Sequence, residues 1–423
     1  MDQPKVAAVI TLGCKLNLAD SAEIGRQLQD RGFAVTDRLC EASAYVLNTC
    51  SVTHVADQKS RRLIRAARRI SPGAIVTVTG CYPQTAGEAR VLELGADLVV
   101  GTRDRDKDEL VSFIGDRVSV PANAESTETT HTRAFVKAQE GCNDVCAFCI
   151  VPRTRHREES RSIERVVQEV REAVGRGVRE AVITGTQLGA WGRDFDPPLA
   201  PHRLIGGILE QTDIARLRFS SLQPQDITPE LLATWQDPRV MPHFHLALQS
   251  GSESVLQAMR RRYTAREFLE AVERIRGAVA DVAITTDVIA GFPGETDADF
   301  EATLSLAREA GFSRIHAFPY SPRTGTVAMK LAGQVDAEVK KERMSRLLGL
   351  GDELAAEFRK AHEGTVRPVL WEQARMVEGR QYWHGYTDNY IPVYAAGGHL
   401  SNRITMTRLG ALLHDGLSGE TAG

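Results

Sequence analysis

At 423 residues the chain exceeds what one hydrophobic core usually serves, so two or three domains are expected. Its 42% hydrophobic and 25% charged residues suit a globular protein, and a net charge of -3 argues against a generic nucleic-acid coat protein. No apolar run is long enough to span a bilayer, the start Met1-Asp2-Gln3-Pro4-Lys5 lacks a secretory signal's core, and seven cysteines, an odd number, do not make a disulfide framework. A cytoplasmic place with no membrane partner is expected.

The first stretch alternates short apolar runs with helical spacing, the pattern of an open parallel α/β domain. The strand candidates are Val6-Ala7-Ala8-Val9-Ile10, Tyr45-Val46-Leu47, Ile75-Val76-Thr77-Val78 and Leu98-Val99-Val100. Cys14, Cys50 and Cys81 follow the first three, where the carboxyl edge of such a sheet builds sites. Each alone reads as a small buried hydrophobe; the shared placement, two directly after glycine, favours three convergent ligands. Cys40 matches no such position. Between Val118 and Thr132 the chain turns to Pro, Ala, Asn, Ser, Thr and Glu without apolar period, an exposed linker.

After the strand-like Ala134-Phe135-Val136-Lys137 come Cys142, Cys146 and Cys149, three thiols at spacing Cys-x3-Cys-x2-Cys. Soft thiolates select zinc, Cu(I) or iron-sulfur centres. A zinc site would need His156 as fourth ligand, which would make the chain a zinc-stabilised RNA-binding protein. With Phe148 just before the last cysteine, the motif resembles the radical S-adenosylmethionine (SAM) enzymes. The wider phrase from Gln139 to Asn143 and from Cys149 to Pro152 resembles one branch, the methylthiotransferases. The resemblance implies a 4Fe-4S cluster on Cys142, Cys146 and Cys149 that cleaves SAM, and a second 4Fe-4S cluster on Cys14, Cys50 and Cys81 that delivers sulfur. The family pattern usually has glycine at His156 and a basic residue near Glu159, departures that bear on the loop conformation.

Further strands are expected at Ala181–Thr184, Leu217–Ser220, His243–Leu246, Val282–Thr285 and Arg314–Phe318, with helices between, a partial (β/α)6 barrel of the kind common among radical SAM enzymes. Glycine and polar residues at the strand ends suit a cofactor lying across the mouth, and similar family phrases assign Gly185, Gln187, Gln249, Ser250 and Gly291 to the SAM pocket. Asp287 is either a polar cap or a substrate contact. A helix over about Val335–Ala361 closes this domain. The β-rich remainder, with Trp371, Tyr382, Trp383, Tyr386, Tyr390 and Tyr394, reads as a small antiparallel barrel whose aromatics either stack on bases or fill its core; its position resembles the family's RNA-binding TRAM domain. Basic groups at Arg61–Arg69, Arg153–Arg161 and Arg260–Arg262 are candidate phosphate contacts or solvated faces.

The expected organisation is therefore 1–117 for the N-terminal methylthiotransferase domain, 118–132 for the linker, 133–362 for the radical SAM domain and 363–423 for the TRAM-like domain. Phrases around Cys14, Cys50 and His316–Arg323 resemble the MtaB-type branch, implying methylthiolation at carbon 2 of N6-threonylcarbamoyladenosine beside the tRNA anticodon. Isopentenyladenosine in tRNA or a ribosomal-protein aspartate are the alternative substrates. Lys15 is either the cation for the threonylcarbamoyl carboxylate or a solvated loop residue. The implied partners are tRNA and a flavodoxin- or ferredoxin-like electron donor. No residue is singled out as an acid or base catalyst, since none activates an inert C–H bond.

Overall fold

The computed structural model describes residues 5–120, 132–155 and 157–421. Most of the expected linker and His156 lie outside the described residues. The first unit is a five-stranded parallel sheet in the order Ala34–Thr36, Val6–Thr11, Ala44–Thr49, Ile75–Gly80, Leu98–Val99. The central Ala44–Thr49 strand is buried throughout, which explains its apolar run. Ala34–Thr36 leaves no signal in the sequence, because three residues on a sheet edge are too short to show a pattern. The strand order reverses between Val6–Thr11 and Ala44–Thr49, the topological switch point where such sheets open a crevice. Cys14 and Cys50 follow these two strands, and Cys81 follows the next one out.

The middle unit is built on two four-stranded sheets. The run Arg216–Phe219 pairs with Glu180–Gly185, and after Ser220 the run Ser221–Leu222 pairs with His243–Leu246. A parallel bridge from Leu217 to Val240 carries the sheets into one curve, giving six parallel strand positions from Arg133–Glu140 round to Arg314–Pro319. One face of each strand packs into the largest core, through Val136, Ile183, Leu217, Phe244, Ile284 and Ile315. Alternation then sends Arg133, Lys137, Glu180, Arg218, His243, His245, Thr285, Asp287 and His316 to the concave face. This lumen is charged, unlike the packed apolar interior of a complete barrel. The Lys15–Asp30 helix of the first unit lies against Arg133–Glu140 and Glu180–Gly185, and helix Ala337–Lys360 packs on Arg314–Pro319.

The last unit is a closed barrel ordered Val366–Val377, Arg380–Thr387, Pro392–Ala395, Gly416–Thr421, Ile404–Leu413. It is not wholly antiparallel: Pro392–Ala395 and Gly416–Thr421 run parallel, because an odd number of strands cannot alternate all the way round a closed ring. Trp371 and Tyr394 are buried, with Trp371 in this barrel's core. Tyr386 and Tyr390 stack at 4.9 Å and close the amino end of the middle barrel. Arg218 lies 4.4 Å over Tyr390, and Arg216 donates to the carbonyls of Tyr386 and Pro368. Trp383 packs against the same core as Trp371, so of the six candidate base-stacking aromatics all but Tyr382 are spent on cores and contacts between units.

Candidate functional site with two cysteine triads

The loop triad starts where strand Arg133–Glu140 ends. Gly141 turns the chain at a φ of 75°, and its carbonyl accepts a hydrogen bond from Gln139 Nε2 at 2.7 Å. The loop is pinned from both sides, as Ala147 N donates to Met259 O and Ala147 O accepts from Ala328 N. Ala147 sits in a satellite core with Met259, Phe292 and Tyr320, against which Phe148 packs, so the aromatic before the third cysteine anchors the loop. Arg261 Nη1 donates to Cys146 Sγ at 3.2 Å while its Nη2 holds Gln223. Burial pushes the Cys142 thiol up to about 12 and the Cys149 thiol up to about 11, so a metal bound here would displace protons.

The strand-end triad requires close approach. A Cβ on Gly13 would stand 2.9 Å from Cys50 Cβ, and one on Gly80 would stand 2.2 Å from the Thr49 carbonyl oxygen. Both glycines have positive φ, 108° and 94°, which only glycine adopts freely. Asn17 closes the loop by donating to the carbonyls of Leu12 and Thr49 at 2.7 and 3.1 Å. Burial drives Cys50 up to about 11 and raises Cys81; Cys50 feels the charge of both triad partners, and Cys81 that of Cys14. Cys40 stands apart, its carbonyl accepting from Tyr45.

The two triads lie side by side. The Cys149 thiol feels the charge of Cys81, and the helix beginning at Cys81 packs against the turn Val151–Thr154 that follows the loop triad. Two arginines from the middle unit grip the first. Arg323 reaches Ser51 at 2.7 Å and Asp57 at 2.8 Å; Arg155 reaches Asn17 and Asp20. Around Asp20 lies a buried ionic network of Lys107, Lys137, Arg155 and Glu140. Against the cost of burial, these cations hold Asp20 well below the usual carboxylate range. Arg155 and Arg161, expected as phosphate contacts, are therefore spent inside the protein, and Arg68, half-buried at the surface, holds Gly95 and Asp97.

The lumen carries His245, whose Nε2 lies 3.2 Å from Asp287 Oδ2 and whose Nδ1 lies 3.0 Å from Thr285 Oγ1. Asp287 thus faces His245 in the lumen. Burial pushes His316 down to about 4, so it is neutral near pH 7. Lys15 is not a solvated loop residue: burial lowers its pKa, as do Arg218 and Arg133, while Asp287 and Glu180 oppose. Its ammonium has no hydrogen bond or ion pair among the described residues.

Of the five residues expected around SAM, Gly185 and Gln187 sit at a strand end against Gln139, which accepts from Gln187 N at 2.9 Å. Thr186 Oγ1 and Gln187 Nε2 there are buried and lack partners among the described residues, the condition of atoms awaiting a polar ligand. Gln249 holds a positive φ of 66° and pairs its backbone with Asp287 and Ile289. Ser250 is fully buried and contacts Thr303 at 3.2 Å, and Gly291 donates to Glu295 at 2.7 Å. A cleft of about 680 Å³ borders Cys142 from outside, lined by Arg103, Arg155 and Arg157 among others.

The donor set can be tested against the centres it suggests. Among the described residues, no three His, Cys, Asp or Glu side chains converge on one metal ion, as zinc requires, and His156 lies outside them. A four-iron cube asks for something else, since each thiolate takes a different iron and the sulfurs need only surround the cube. Each group supplies three thiols, the donor number that leaves one iron of such a cube open.

The description "Radical SAM superfamily" matches residues 136–307, and "Uncharacterized protein family UPF0004" matches residues 6–101. The threonylcarbamoyladenosine tRNA methylthiotransferase MtaB of Bacillus subtilis (strain 168) is 37% identical, covering 92% of this chain and 89% of its own. The tRNA-2-methylthio-N(6)-dimethylallyladenosine synthase of Aquifex aeolicus (strain VF5) is 33% identical, covering 86% and 87%. The radical SAM methyltransferase TsrM from Kitasatospora setae, solved with tryptophan and a SAM analogue, shares the fold at a TM-score of 0.55 and 14% identity, over 89% of this chain and 79% of its own.

Proposed function

The chain belongs to the radical SAM methylthiotransferase family, and on that premise we propose that it adds a methylthio group to carbon 2 of N6-threonylcarbamoyladenosine in tRNA. The observation that carries the reading is the pair of triads side by side, with the helix that begins at Cys81 packed on the turn that follows Cys149. The family uses SAM and two 4Fe-4S clusters, which when bound supply the radical, sulfur and methyl chemistry. Cys142, Cys146 and Cys149 would hold one cluster and leave one iron open; Cys14, Cys50 and Cys81 would hold the other. The unpartnered polar atoms of Thr186 and Gln187 at the end of strand Glu180–Gly185 would orient SAM, with Gly185, Gln249, Ser250 and Gly291 shaping the turns around it.

The choice between modified adenosines rests on the lumen. An isopentenyl group asks for an apolar pocket, and burying ionised groups against it would be costly. A threonylcarbamoyl group brings a carboxylate and a hydroxyl, which suit Lys15, an amine without a hydrogen-bonded partner that a carboxylate would hold protonated, and the polar side chains of His245, Thr285 and His316. No helix among the described residues is long and apolar enough to cross a membrane; a cytoplasmic place, and a flavodoxin- or ferredoxin-like protein as electron donor, complete the reading.

The reduced enzyme should be incubated separately with tRNA carrying threonylcarbamoyl-adenosine, tRNA carrying isopentenyladenosine, and the ribosomal protein bearing the candidate aspartate. Mass spectrometry of digested products should find the methylthio group on the first. A product from either of the others alone would overturn the assignment.

A further inference from the structure

Arg155 belongs to the loop that follows Cys149, yet its guanidinium ends against the other triad. It is 3% exposed. Nη2 donates to Asn17 Oδ1, the oxygen that also accepts from Cys14 Sγ at 3.8 Å. Nη1 is shared between Asp20 Oδ2 at 3.2 Å and Glu140 Oε1 at 2.7 Å. Its third donor, Nε–H, is buried with no hydrogen-bond partner among the described residues. Cys81 is 5% exposed, and the charge of Arg155 bears on it as well as on Cys14. One cation from the loop-triad segment thus stands beside two of the three strand-end thiols.

An arginine cannot discharge by losing its proton, so its field is permanent. Asp20 and Glu140, the carboxylates facing it, are themselves paired with Lys137 at 2.9 and 3.0 Å, and Asp20 also with Lys107 at 2.9 Å. Net charge, hydrogen bonds to the sulfurs and solvent exposure set the potential of a thiolate-held cluster. We propose that Arg155 is a positioning residue that sets the reduction potential of the centre held by Cys14, Cys50 and Cys81. Its charge favours the state with one added electron, supplied by the external reductant, and its unpartnered Nε–H is the donor left over for that centre. The same side chain ties that potential to the seating of the loop triad, because a shift of the Val151–Thr154 turn moves Arg155 with it.

The inference rests on the two-triad reading, and the test separates the two. The background is the full chain with Cys142, Cys146 and Cys149 all replaced by alanine, in which only the strand-end centre remains. Its iron content is measured first; no iron there removes the triad assignment and this proposal with it. With iron present, the midpoint is read by anaerobic redox titration with spectroscopic detection. Arg155→Gln is expected to move it to more negative potential, so that at the parent's half-reduction point the reduced-to-oxidised ratio falls about tenfold, or about 59 mV for one electron. Arg155→Lys keeps the charge and should move it less. An unmoved midpoint in Arg155→Gln with full iron would overturn the proposal. Should Arg155→Gln hold no iron, Glu140→Gln decides: losing the carboxylate that shares Nη1 should raise the midpoint, and an unmoved value overturns the idea.

Discussion

Cys142, Cys146 and Cys149 are gathered within one loop, whereas Cys14, Cys50 and Cys81 arrive from three strand ends of a parallel sheet. The loop triad is a local arrangement, pinned by two backbone hydrogen bonds and the anchor of Phe148. The strand-end triad is global. It needs the switch in strand order, glycines that let the strand ends approach, and arginines from another unit to hold it over the barrel. Local sites therefore tolerate change in the fold around them, and global ones do not.

The sharpest break is Gly80→Ala. Its Cβ would meet the Thr49 carbonyl oxygen at 2.2 Å, at a φ of 94°, so the backbone must move at a cost of about 3 kcal/mol or more. The variant should lose the strand-end iron and keep the loop iron, halving iron per chain, while SAM cleavage persists. Iron analysis and deoxyadenosine assay check both.

The same contrast governs what the sequence made legible. The loop triad was visible in its spacing, and the strand-end triad in its repeated position after apolar runs, because both are backbone patterns. The fold class and the strands of the middle unit were legible for the same reason. What stayed hidden depends on which side chains meet across units. Arg155 and Arg161 looked like phosphate contacts and are instead buried partners of Asp20 and Glu23; Lys15 looked like a solvated loop residue and instead enters the lumen. His245 and Asp287 share no local motif, since adjacent strands bring them together. The parallel closure of the last barrel follows from the added strand Gly416–Thr421, whose short polar pattern gave no signal.

A smaller effect leaves both triads alone and so serves as their control. His384 in the last barrel is fully buried with both ring nitrogens unpartnered among the described residues, and burial pushes it down to about 4. Its folded pKa lies below its unfolded value, so the unfolded state takes up the proton first as pH falls. Stability from its neutral form is full above about pH 6.5 and is lost progressively toward pH 4, reaching about 2 kcal/mol by pH 5. Urea midpoints at pH 7 and pH 5 should show the loss, and His384→Gln should reduce it.

Smallest is the change at Lys15, which depends on the strand-end unit being seated. Lys15→Gln should lower kcat/KM for threonylcarbamoyl-tRNA about tenfold, near the lower end for a charged hydrogen bond, and leave iron content and SAM cleavage unchanged. Steady-state kinetics on both modified tRNAs would read it; equal loss on both substrates would remove Lys15 from specificity.

The central claim, that two separate three-cysteine groups perform separate halves of one reaction, is tested most directly by comparing two triple variants. Iron, deoxyadenosine and methylthio product should be measured together in the Cys142/Cys146/Cys149→Ala and Cys14/Cys50/Cys81→Ala proteins. The account predicts about half the iron in each, as two like cubes imply, deoxyadenosine only in the second, and methylthio product in neither. Full iron in either variant, or deoxyadenosine formed without the loop cysteines, would contradict it.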